Sequence, residues 1–224
     1  LALGVALTAS AGTYPMSLDQ AFDKAAQTEK PVLMKIGTEW CSACQAFDKA
    51  VATDDTFRAG VGEDAILVQI DAEKGDGVQV AQRYNVSNFP TFILANAEGE
   101  VMDRWVGFKK SGYFTKTLDK AVVDAMPVSE RWARYRTEPT AKDAAKLANL
   151  RMSEGYYADA AALYGRAMDL DKAKDYSWYR FTAVTKGTKN GLFTTNDLVA
   201  AADAVYARAD ENSSSMFGVL WTMR

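Results

Sequence analysis

The chain has 224 residues, 48% of them hydrophobic and 25% charged, the balance of ordinary globular material long enough for one large domain or two small ones. A formal net charge of −3 argues against an intrinsic nucleic-acid binder, which is usually basic. There is no histidine and there are only two cysteines, so Cys-His and Ser-His nucleophilic machinery is impossible and a zinc site lacks half its ligands.

Residues 1–11 are apolar and uncharged and end Ala9-Ser10-Ala11, the small-x-small pattern at which signal peptidases cut. We read them as the surviving end of a secretory signal, with the mature protein beginning near Gly12 and working in an oxidising compartment. The competing reading is an unstructured or edge-pairing N-terminus. Ser17-Leu18-Asp19-Gln20 then forms a capping box, and Leu18, Ala21, Phe22, Ala25 and Ala26 give the following helix one apolar face.

Residues 31–37 are short, mostly apolar and bounded by Pro31 and Gly37, which predicts a buried strand. After Trp40-Cys41-Ser42-Ala43-Cys44 the period changes to that of a helix, carried by Ala43, Phe47, Ala50 and Val51. Cys41 is therefore expected at or just before a helix N-terminus, with Cys44 one turn inside. Unpaired N–H groups and the helix dipole there stabilise a thiolate, the form that attacks disulfides. Cys41 becomes the candidate nucleophile, Cys44 the thiol that resolves the mixed disulfide, and Trp40 a shield on one side of the pair. The rival is a purely structural disulfide, although a bridge over two residues closes too short a loop to be a good staple.

Residues 65–71 predict a second buried strand and 78–84 a short helix, so a βαβ unit surrounds the cysteines. Pro90 directly precedes a further strand, a turn at 97–100 leads into a strand at 101–106, and Ser111 is expected to cap a helix carrying Phe114, Leu118, Ala121 and Val122. Pro127 is expected to end the unit.

Trp40-Cys41-Ser42-Ala43-Cys44, then Phe89-Pro90-Thr91 about 45 residues later, in a βαβ-then-ββα order, resemble the thioredoxin superfamily over about residues 17–125. Cys44-Gln45-Ala46-Phe47-Asp48-Lys49 and Val106-Gly107-Phe108 look most like the periplasmic domains of the DsbD C-terminal type, which pass electrons onward as reductants. The resemblance implies a cis Pro90 against the cysteine pair, substrate binding by Trp40, Phe89, Pro90 and Thr91, with the Phe89 backbone pairing to a substrate segment, and Asp48 as proton acceptor for the resolving thiol. Otherwise Asp48 is a solvated helix charge. One position departs from the family. Six residues before Cys41, where thioredoxins carry a buried acid, this chain has Lys35, which either lies partly buried near the sulfurs or snorkels out along its stem, the second being the reading favoured by its length.

Composition shifts after Pro127. Residues 127–139 are read as a linker and 140–224 as a second, helical domain, leaving 12–126 as the thioredoxin-like one. Thr140 caps a helix with Ala144, Leu147 and Ala148 on one face, and Gly155 turns the chain into another carrying Tyr157, Ala160, Tyr164, Ala167 and Leu170. Trp178 falls 34 positions after Ala144, a spacing that resembles a tetratricopeptide repeat. A less faithful hairpin follows an insertion at 186–194, with Ala202, Tyr206 and Ala209 echoing Ala160, Tyr164 and Ala167, and 216–221 begins a third pair or a cap. The end at Arg224 reads as a truncation.

The expectation is thus an α/β thioredoxin fold followed by an all-α, repeat-like domain, acting as an envelope thiol–disulfide reductant through Cys41 and Cys44. It needs no cofactor and no metal. Its partners are disulfide-bearing proteins, an upstream thiol electron donor and a protein on the helical repeats, with no role for nucleic acid. The alternative is a partner-binding protein whose cysteine pair is a clasp.

Overall fold

The computed structural model describes residues 16–208 and 214–222; the expectations for 1–11, Ala209 and Arg224 lie outside them. Helix α1 (Leu18–Thr28) starts at the Ser17 capping box and leads into strand β1 (Val32–Gly37). Helices α2 (Ser42–Thr53) and α3 (Asp55–Asp64) follow, then β2 (Ile66–Asp71), α4 (Gly77–Arg83), β3 (Thr91–Ala95), β4 (Val101–Val106) and α5 (Ser111–Val123). The second region contains α6 (Val128–Thr137), α7 (Ala141–Glu154), α8 (Tyr157–Leu170), α9 (Ser177–Lys189), α10 (Thr195–Tyr206) and α11 (Ser214–Thr222).

The sheet order is β2-β1-β3-β4, with β1 parallel to β2 and antiparallel to β3, and β3 antiparallel to β4. Strands β1 and β3 are buried along their whole length because helices cover both faces, which is why they read as unbroken apolar runs. Alternation sends Leu33, Phe92 and Leu94 to the face packed with Phe47, Phe57, Phe114 and Leu118, and sends Met34, Ile36 and Ile93 to Ala21, Ala25, Ala81 and Tyr84 on the other. Phe47 centres the first face, its ring 4.9 Å from Phe92 and 5.1 Å from Phe114.

One helix is added and one local expectation changes. The helix after the cysteines ends at Asp54, which caps a further helix, α3, by accepting from the Phe57 N–H at 2.9 Å. Ser111 is the first residue of α5 rather than its cap; Lys110 occupies the cap position without a side-chain bond.

The 127–139 stretch is not a loose connection. Pro127 opens α6 instead of ending a unit, since a proline at a helix start gives up an N–H that has no partner there anyway. Arg131 of α6, 2% exposed, lies between two acids: Asp143 at 2.8 Å and Asp124 at 3.5 Å. Asp143 is fully buried and also binds Arg134 and the Thr140 hydroxyl. Lys146 of α7 reaches Asp103 of β4 at 2.7 Å, and α7 runs along β4, covering that edge of the sheet.

Beyond α6, each helix packs on the next. Gly155, with φ 86°, makes the left-handed turn between α7 and α8 that side chains avoid. Small residues (Ala144, Ala148, Ala160, Ala167) let these helices approach closely, with Leu147, Tyr164 and Phe181 filling between them. The echo of the first hairpin weakens at its end. Tyr164 is 2% exposed, but Tyr206 is 38% exposed because α10 stops there. The first four residues of the expected insertion are helical, α9 continuing to Lys189.

Candidate functional site

Strand β1 ends at Gly37, and three residues later the chain turns into α2 with Cys41 as its N-cap. The Cys41 sulfur accepts from the Cys44 backbone N–H at 3.2 Å, the bond a serine or aspartate cap makes elsewhere. Cys41 and Cys44 form a disulfide with Cα atoms 5.2 Å apart. Their access differs: Cys41 is 8% exposed and Cys44 fully buried.

Behind the pair, Gly37 is required for space. A Cβ there would stand 2.7 Å from Cys44 Sγ and 3.3 Å from Lys35 Cε, so the lysine stem and the buried sulfur flank the same point. Lys35 does not snorkel to solvent. It is 5% exposed, and its Nζ lies 2.8 and 2.9 Å from the two carboxylate oxygens of Asp48. The reason is positional: Lys35 shares the α2-covered face of β1, and Asp48, one turn after Cys44, is placed on the underside of that helix. A lone buried ammonium costs several kcal/mol, which the carboxylate offsets. The Asp48 side chain is itself 43% exposed, so the pair opens to water on the acid's side.

In front of the pair, the Phe89–Pro90 peptide is cis and Pro90 is buried. Trp40 is 67% exposed, its ring edge-on to Phe89 at 6.0 Å and its Nε1 donating to both oxygens of Glu73 at 3.0 and 3.1 Å. The indole is thus a rim that stretches from Phe89 to Glu73. Thr91 is fully buried and its hydroxyl donates to the Asn88 carbonyl at 2.7 Å, so its side chain shapes the loop and is not offered to a ligand. A groove of about 420 Å³ runs from Phe89 along the end of α4, lined by Ala72, Val78, Ala81, Asn85 and Val86.

The structure therefore brings the eight expected site residues to one end of the sheet, in two groups. Lys35, Asp48 and Cys44 lie behind, and Cys41, Trp40, Phe89, Pro90 and Thr91 in front. Sequence reading missed Glu73 and the ion pair of Glu39 with Lys74 beside it. An exposed acid on a turn carries no signal until the fold sets it under the indole.

The family model described as "Thioredoxin-like domain" matches residues 18–122. The chain is 29% identical over 108 residues to the thiol:disulfide interchange protein DsbD of Ralstonia nicotianae, covering 47% of this chain and 18% of that protein. It is 26% identical over 100 residues to mitochondrial thioredoxin of Bos taurus, covering 45% and 57%. The chain thus spans less than two thirds of the length of either relative. Among solved structures, a thioredoxin from Thermus thermophilus is 23% identical with a TM-score of 0.43, covering 48% of this chain and 85% of that one. The oxidised C-terminal domain of DsbD from Neisseria meningitidis is 16% identical with a TM-score of 0.39, covering 45% and 89%. Residues 18–122 thus carry a thioredoxin-like domain with a Cys41–Cys44 disulfide, and the chain joins this α/β domain to a second region built of helices.

Proposed function

We propose that the chain is a thiol–disulfide oxidoreductase that reduces disulfides in protein substrates in the cell envelope, residues 12–126 carrying the chemistry and the helices of 140–224 a repeat-like surface for a protein partner. The observation that carries this reading is the asymmetry of the pair. Cys41 keeps 8% of its surface exposed at the N-terminus of α2, while Cys44 is sealed beside buried Lys35, whose partner Asp48 opens to water.

In the reduced state the Cys41 thiolate attacks one sulfur of a substrate disulfide; a mixed disulfide forms and the other substrate sulfur leaves as a thiol after taking a proton. Cys44 then loses its proton to Asp48, whose open side passes it to water, and attacks the Cys41 sulfur. The second substrate thiol leaves. The substrate has gained two electrons and two protons, the enzyme pair is a disulfide, and an upstream dithiol donor restores it. Lys35 favours the thiolate beside it. Phe89 presents backbone groups to the substrate segment, with Trp40 packing on one side.

The test is a pair of variants assayed with insulin. Cys41→Ser is expected to abolish reduction, and Cys44→Ser to keep the attack but accumulate a mixed disulfide visible as a covalent adduct. An adduct on the Cys41 variant and none on the other reverses the assignment. A pair potential below about −300 mV against glutathione marks a structural clasp and ends the proposal.

A further inference from the structure

The loop that presents Phe89 and Pro90 begins where α4 ends. Asn85 there sits at φ 48°, in the left-handed region that non-glycine residues seldom enter, and the Val86 N–H returns to the Ala81 carbonyl at 2.8 Å. The carbonyls of Tyr84 and Asn85 point away from the helix and need donors. Both are met by one side chain from across the sheet. Arg104 of β4, 5% exposed, donates Nη1 to the Tyr84 carbonyl and Nη2 to the Asn85 carbonyl at 2.9 Å. Nothing in the chemistry proposed above uses this guanidinium.

A buried cation at the carboxyl end of a helix complements its dipole, and a planar fork binds two carbonyls in a way a lysine does not. Arg104 also lies at the edge of the sheet that α7 covers. Burial pushes its guanidinium down from the usual range, and the carboxylate of Glu154, the last residue of α7, pulls in the opposite direction. Glu154 is in turn held by Arg151 at 3.0 Å, whose guanidinium stacks over Trp132 and Tyr156. Arg104 therefore ties the edge strand that α7 covers to the residues that open the substrate loop and line its groove.

We propose that Arg104 is a positioning residue for the Phe89–Pro90 loop. This rests on the reading of the site as one that binds protein disulfides. A protein substrate must lie along the loop and a small aromatic disulfide need not, so the two substrates separate positioning from chemistry. In Arg104→Met the KM for insulin is expected to rise roughly tenfold with kcat within about twofold, while reduction of dithiobis-nitrobenzoate and the pair potential stay at wild-type values. Arg104→Lys is expected to restore part of the loss. Exchange of the Val86 amide is expected to quicken in both variants. An unchanged insulin KM in folded Arg104→Met, or equal loss on both substrates, overturns the proposal; if that variant does not fold, unchanged KM and Val86 exchange in Arg104→Lys overturn it. A wild-type protein that reduces neither substrate removes the functional reading instead, and Val86 exchange then decides alone whether Arg104 holds the loop.

Discussion

The two regions each bury a salt bridge, and they do it differently. Behind the cysteines the cation is sealed and the acid is open, Lys35 at 5% exposure against an Asp48 side chain at 43%. At the root of the helices the acid is the sealed partner: Asp143 is fully buried and is bound by Arg131, Arg134 and Thr140. An acid that keeps one face in water can take and return a proton. An acid enclosed by two guanidiniums cannot do so without unpairing them, and its worth is structural. Burial alone does not separate the two pairs; which partner faces water does.

The sharpest way to break this comparison is to remove the sealed acid. Asp143→Asn leaves buried Arg131 with only the longer contact to Asp124 as its acid, and breaking a buried pair in this way costs about 3–5 kcal/mol. Urea unfolding followed by tryptophan fluorescence should show that loss, while reduction of dithiobis-nitrobenzoate by the folded fraction is retained. A variant as stable as wild type would show that the helical root does not depend on this network.

Acid should act on the same region. Burial opposes the charge on Asp143, but hydrogen bonds from Arg134, Arg131 and Thr140 outweigh it and hold the carboxyl below the usual range. Burial likewise opposes the charge on Asp124, which the Lys142 bond and the charges of Arg131 and Lys146 depress. A carboxyl with a lowered folded value contributes stability that is complete above its unfolded value, about 3.9, and is lost as pH falls through the folded one. The urea midpoint should therefore drop from about pH 4 downward. The drop should shrink in Asp143→Asn, and an identical drop in that variant would assign the acid response to other groups.

Smaller effects belong to the site. Gly37→Ala forces a methyl to 2.7 Å from Cys44 Sγ, an overpacking of about 1–3 kcal/mol that should slow the resolving step and leave the helical region's unfolding in place. Adduct lifetime in single-turnover insulin reduction reads this directly; a wild-type lifetime would mean the strand end yields freely. Lys35→Asp replaces the cation beside the buried sulfur by a second acid. Losing thiolate stabilisation makes the disulfide harder to reduce, and the potential should fall by roughly 30 mV for each tenfold change. An unchanged potential would mean that Asp48 already cancels the lysine's field at the sulfurs.

Much of this was legible in order along the chain. Ser17 and Thr140 cap helices because their partners are three residues away, at Gln20 and Asp143. The Trp40-to-Cys44 motif and Phe89-Pro90-Thr91 together indicated the domain, since a strand ending in glycine followed by a helical period leaves the first cysteine at the cap. Such signals are local: the chemistry and the backbone that positions it lie within one turn of each other.

What tertiary structure decided are the interactions between residues far apart in sequence whose types do not predict pairing. The length of Lys35 favours snorkelling; only the seating of α2 on β1 puts Asp48 within reach and turns the lysine inward. Arg131 and Arg134 look like the solvated face of a linker until α7 brings Asp143 to them, and Arg104 looks like an outward strand charge until the end of α4 arrives opposite it. A charged side chain carries the same short-range pattern whether it ends in water or in a buried pair. The sequence by itself determined the helix caps, the alternating strand faces and the position of the dithiol. The packing of helices on sheet edges decided which charges lost their water, because desolvation depends on what lies across the fold and not on neighbours in the chain.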